Sequence, residues 1–94
     1  MLEIIRDSNG IIQAVCEYYV VDVNGAYSSV GEWVWIEQME FSSSVNGHGL
    51  GYVKQFIKNI TAQVPWAKYG YFDRKKYRGR IRLYTREKWL SFTK

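Results

Sequence analysis

Cysteine, histidine and proline are almost absent from this chain, and each scarcity closes off a class of chemistry. The single cysteine, Cys16, cannot close an intramolecular disulfide and has no second thiol with which to hold zinc. It reads as a buried strand residue. The single histidine, His48, has no partners for a metal cluster or a serine–histidine dyad, which leaves it to contribute its backbone amide. No apolar run approaches the ~18 residues of a membrane-spanning helix. Residues 1–6 alternate polar and apolar rather than placing a basic stretch before an apolar one. These absences predict a soluble cytoplasmic protein.

Apolar material is plentiful. Hydrophobic residues make up 47% of the 94 positions and aromatics 17%, enough for one core and too many for a disordered chain, while the length leaves no room for a second domain. The formal charge of +4 conceals a division. Residues 1–65 carry three bases against seven acids, a net −4, whereas residues 66–94 carry ten bases against two acids, a net +8. A basic third of this kind suits a phosphate-bearing partner, or else it solvates strand edges.

Residues 2–6 alternate, Asp7-Ser8-Asn9-Gly10 supplies turn residues that tolerate positive φ, and residues 11–23 resume a β-rich run, so a hairpin comes first. Asn24-Gly25 breaks the second strand, residues 26–31 form a small polar loop, and residues 32–41 make a third antiparallel strand. Strict alternation puts Trp33, Trp35, Glu37, Met39 and Phe41 on one face and Val34, Ile36, Gln38 and Glu40 on the other. From Gly49 the period changes to three and four: Leu50, Val53, Phe56, Ile57, Ile60 and Val64 outline an amphipathic helix that Pro65 closes. Residues 67–72 read as a strand, 73–79 as a basic connector, and 80–84 with 88–92 as a last hairpin. Together these predict a single α+β domain over residues 1–94. Its sheet is mixed and mostly antiparallel, with one long helix after the third strand and a short C-terminal hairpin.

The stretch that carries chemistry runs from Phe41 through Asn46-Gly47-His48-Gly49-Leu50-Gly51, where a strand ends in small residues and opens into the helix. Glycines let the backbone approach a ligand, and the unpaired amides of a helix start attract phosphate oxygens. A nucleotide P-loop needs a Lys-Ser or Lys-Thr pair after its last glycine, but Tyr52-Val53 follows Gly51 here. The dinucleotide fingerprint needs its last two glycines three apart, whereas Gly47, Gly49 and Gly51 are two and two apart.

The arrangement resembles the GNAT superfamily of N-acetyltransferases, whose signature of Arg or Gln, two residues, Gly, one residue, and Gly or Ala lies between a strand and a helix. Residues 46–51 stand in that place, and the order of strands around them covers most of the chain. The resemblance implies acetyl-CoA as acyl donor, its pyrophosphate held by amides around Asn46, Gly47, His48, Gly49 and Gly51. It also implies a pantetheine arm paired with the preceding strand near Met39 and Phe41. The family's activity is direct transfer of the acetyl group to an amine, here of unspecified identity and a protein among the candidates. A carboxylate removes the amine proton, for which Glu37 and Glu40 are in position, and a tyrosine following the next strand protonates the thiolate, for which Tyr77 is the candidate and Tyr84 its rival. Where the family has Arg or Gln this chain has Asn46, and the family's first strand and first two helices have no counterpart.

The bland readings stand beside these. Glu37 and Glu40 can be solvated or paired with arginine, Tyr77 and Tyr84 can pack, and Trp33, Trp35 and Trp66 fit a core or a strand pair more readily than a ligand platform. The run 74–86 interleaves bases with aromatics, which also suits a non-enzymatic nucleic-acid binder whose glycine turn grips a backbone phosphate. Apolar strand edges on so small a sheet fit a homodimer.

Overall fold

The computed structural model describes residues 1–43, 50–74, 80–91 and 93. Along the chain run β1 (Leu2–Arg6), β2 (Ile12–Val21), β3 (Trp33–Phe41), α1 (Leu50–Gln63), β4 (Tyr69–Arg74), β5 (Arg80–Thr85) and α2 (Arg86–Ser91). The strands form one mixed sheet in chain order, β1-β2-β3-β4-β5, antiparallel except for the β3–β4 pair. That pair is parallel because the connection between its strands carries α1 back along the sheet.

Two turns of the same chemistry shape the first half. Asp7 Oδ1 accepts the N–H groups of Asn9 at 2.8 Å and Ile11 at 3.0 Å, and Asp22 Oδ1 does the same for Asn24 at 2.8 Å and Ala26 at 3.0 Å. In each the fourth residue is a glycine, Gly10 at φ 81° and Gly25 at φ 82°, a conformation that costs other residues energy. The expected strand 11–23 therefore stops at Val21, since Asp22 begins the second of these turns and folds Tyr27 back onto Val21.

α1 presents Phe56, Ile57 and Ile60 to the sheet, with Val64 just past its end, all buried, against Ala14, Cys16, Tyr18, Val34 and Ile36. Each such side chain withdrawn from water contributes about 1.5–3 kcal/mol before chain entropy is counted. Arg86 closes the far end of the helix. Its guanidinium donates to the carbonyls of Thr61, Val64 and Ala67, each at 3.2 Å, acceptors that a helix terminus leaves open.

The expected terminal hairpin is not formed. β5 pairs with β4, and residues 86–91 are helical. Thr85 Oγ1 accepts the N–H of Lys88 at 3.2 Å, the geometry of a helix N-cap, and Trp89 drops into the core over Gly70. A short stretch with only Trp89, Leu90 and Phe92 as large apolar residues has too little periodicity to tell strand from helix; the cap decides it.

Trp89, Phe72 and Tyr84 share the face covered by α1. The opposite face of the sheet carries Tyr19, Trp33, Trp35, Tyr69 and Tyr71 in one chain of ring contacts, and no described element covers it. It is flanked by the exposed Leu2 and Ile4 of β1 and Leu83 of β5.

Candidate functional site

The parallel ladder between β3 and β4 is short. It joins Trp33 to Tyr69, Val34 to Gly70, Trp35 to Tyr71 and Ile36 to Phe72, and ends there, although β3 continues to Phe41 and β4 to Arg74. Past Ile36 the two strands go separate ways, each held by its other neighbour: β3 by β2, and β4 by β5.

A β-bulge sits at the same point. Gln38 faces Glu17 across the β2–β3 ladder and Ile36 faces Tyr18, so Glu37 is an extra residue with no opposite number. An inserted residue reverses the phase of alternation. Val34 and Ile36 point toward α1, and beyond the bulge Met39 and Phe41, opposite Cys16 and Ala14, point the same way. Gln38 and Glu40, opposite Glu17 and Val15, join Trp33 and Trp35 on the uncovered face. The face assignment expected from strict alternation is thus wrong beyond Ile36, because one bulged residue shifts every side chain after it.

Glu37 and Glu40 are both exposed, and the Glu40 carboxylate accepts from the side-chain amide of Gln38. Met39 is half-buried against the core, and Phe41 lies at the rim with 36% of its surface exposed.

α1, opening at Leu50, is the next described element after β3. No acidic side chain occupies its first turn, and among the described residues a Cβ built on Gly51 meets nothing within 4 Å. The space is compatible with close approach of an anionic ligand to the helix start. Asn46, Gly47, His48 and Gly49, four of the expected pyrophosphate contacts, lie outside the described residues, as does the expected acid Tyr77. The rival acid Tyr84 is half-buried, its ring edge-on to Phe72 at 6.3 Å, a packing role. Within the basic run 74–86, Arg86 is committed to the end of α1, and residues 75–79 lie outside the described set.

Other polar chemistry is concentrated on β2. Tyr19 Oη donates to Glu17 at 2.5 Å, and that bond, with burial and the charges of Glu17, Tyr27 and Glu37, pushes the phenol up to about 12. Tyr18 Oη donates to Gln63 Oε1 at 2.6 Å; burial, then the Glu3 charge, raise it as well. Cys16 is buried as expected, and burial, reinforced by Glu3, pushes its thiol to about 12, far from a nucleophilic thiolate. Trp33 and Trp35 pave the uncovered face rather than the core, and Trp66 is 46% exposed with its indole N–H donated to Gly31 O at 2.9 Å. A cleft of about 380 Å³ opens beside the C-terminal end of α1, between Tyr18, Tyr19, Tyr27, Gln63 and Trp66.

The sequence pattern missed the bulge and the ring ladder. The ladder had one visible signal: Glu17 and Tyr19 share a parity in β2, as do Tyr69 and Tyr71 in β4. Among the described residues no group of three metal-ligating side chains assembles, and no helix is long and apolar enough to cross a membrane. Compared with protein-family models, with curated proteins and with solved structures, the chain matches none of them.

Proposed function

We propose that this chain is a minimal acyl-CoA-dependent N-acetyltransferase of GNAT-like design, with acetyl-CoA as donor and an amine as acceptor. One coincidence carries the reading: the β3–β4 ladder ends at Ile36, the bulge falls on Glu37, and the next described element along the chain, α1, has a glycine and no acid in its first turn. Beyond Ile36 the β4 side of β3 pairs with no described strand, which suits an amide-bearing arm laid alongside residues 37–41 as an added strand. The helix start suits the phosphates at the other end of such a molecule.

Acetyl-CoA supplies the activated acyl group. The chain's own residues do the rest. The bulge takes main-chain amides out of the regular ladder, which frees a donor for the oxygen on which negative charge develops. Glu37, exposed at the parting, accepts the proton that the attacking amine loses; Glu40 is the second candidate, and Tyr77 retains the acid role that the resemblance implies. Cys16 takes no part, since it is buried and protonated on the α1 side of the sheet.

Isothermal titration with acetyl-CoA and with CoA tests the reading. Both are expected to bind with similar affinity, since the phosphates and the arm are common to them. An absence of heat at millimolar ligand removes the proposal.

A further inference from the structure

The uncovered face of the sheet has a charge as well as a composition. By register, Glu17 on β2 and Glu40 on β3 project onto it, and Glu37 at the bulge lies close enough for its charge to act on Tyr19. Beside these carboxylates run the rings: Tyr19 to Trp35 at 5.7 Å, Trp35 to Tyr71 at 6.5 Å and nearly parallel, and Trp33 to Tyr69 stacked at 4.4 Å. Two bases are already engaged: Arg6 on β1 donates to Gly10 O at 3.0 Å, and Lys68, just before β4, pairs with Glu32 at 3.2 Å. A layer of rings, some tilted and one pair edge-on, bordered by carboxylates attracts cations twice, through the ring faces and through the acids, and offers apolar surface to an alkyl stem.

We infer that this aromatic and acidic face docks a lysine-bearing segment of a partner protein. Charge complementarity selects a cation. The shape selects a polypeptide over a small amine, because the rings spread across β2, β3 and β4 as a surface, whereas a small ligand is held by a concave site. An extended segment across the strands lays successive lysine stems on Trp33 and Trp35 and brings an ammonium to Glu37, where the strands part. The role of that lysine as the acyl acceptor rests on the acetyltransferase reading; the docking does not.

The probe is a capped twelve-residue peptide of four Lys-Gly-Ala repeats, titrated against the full chain without CoA while tryptophan fluorescence is followed. It is expected to bind, with an affinity that falls as salt rises. The same peptide with glutamate for lysine is expected not to bind. The double variant Glu17→Gln, Glu40→Gln should weaken binding about fivefold or more, and Trp35→Ala by about as much. Glu40 is exposed and Glu17 half-buried, and a glutamine at 17 can still accept from Tyr19 Oη, so the first variant keeps the fold and decides the matter even if the second unfolds. Equal binding of the two peptides, unchanged affinity in the double variant, or no binding overturns the inference. So does a homodimer that hides the face, seen as tryptophans that become accessible to a quencher only on dilution. Acetyl-CoA binding without peptide binding removes the docking and spares the acetyltransferase reading; peptide binding without acetyl-CoA binding does the reverse.

Discussion

Gly70 is the point at which the C-terminal helix locks onto the sheet, and replacing it tests the architecture of the second half. A Cβ added there would fall inside the indole of Trp89, which is itself 3% exposed. In Gly70→Ala the ring must shift or leave. A shift carries the strain of an overpacked core, about 1–3 kcal/mol. Complete ejection approaches the cost of deleting a buried tryptophan, about 3–5 kcal/mol, which sets the upper bound. In a chain of this length, 2 kcal/mol corresponds to a fall in Tm of roughly 8–16 °C. Urea denaturation followed by far-UV circular dichroism gives the number, and the decisive control is the same substitution in a Trp89→Ala background. With the ring gone, alanine should be neutral or stabilise by up to about 1 kcal/mol, because glycine inside a strand is unfavourable in itself. A penalty of equal size in both backgrounds would refute the packing of Trp89 on Gly70.

Other consequences are as concrete. Arg86→Lys should destabilise by about 2–3 kcal/mol in urea, because an ammonium cannot span the three carbonyls that the guanidinium serves, and a loss under 0.5 kcal/mol would mean that the cap is unimportant. Cys16 keeps its proton up to about 12 in the folded chain against an ordinary 9.0, so the unfolded chain releases its proton first and stability falls as pH rises from 9 toward 12. Tyr18 and Tyr19 add the same trend above 10, their ordinary value, so Cys16→Ala should flatten the pH 9–10 window alone. An unaltered slope in that window would contradict the burial assigned to the thiol. Glu37→Gln should lower acetyl transfer about 100-fold or more while acetyl-CoA affinity holds, the mark of a lost general base. If transfer persists in Glu37→Gln and fails in Glu40→Gln, the base is Glu40.

Much of the fold was legible because its signals are local. The alternation of residues 2–6, the Asp-Ser-Asn-Gly turn and the spacing of Phe56, Ile57, Ile60 and Val64 each depend on one element, and the first three strands and α1 lie within two residues of their expected bounds. What was not legible depends on partners. The bulge at Glu37 exists only in the register between β2 and β3, and no feature of residues 32–41 taken alone predicts it. The helical ending of the chain hangs on Thr85 as a cap and on the space that Gly70 leaves for Trp89, a contact between residues 19 positions apart. The candidate site shares this division. Glu37, Glu40, Met39 and Gly51 were named as candidates through the family resemblance, whereas the parting of β3 from β4 and the ring ladder appear only when the sheet is assembled.

The most direct test of the central claim is an amide ¹H–¹⁵N spectrum of the whole chain recorded during an acetyl-CoA titration. An acyl carrier held where β3 leaves β4 should perturb Glu37, Gln38, Met39 and Gly51, and leave Asn24 and Gly25, in the turn after β2 at the opposite end of β3, unmoved. A spectrum unchanged at millimolar acetyl-CoA, or one whose shifts gather around Tyr27 and Trp66 instead, would contradict it.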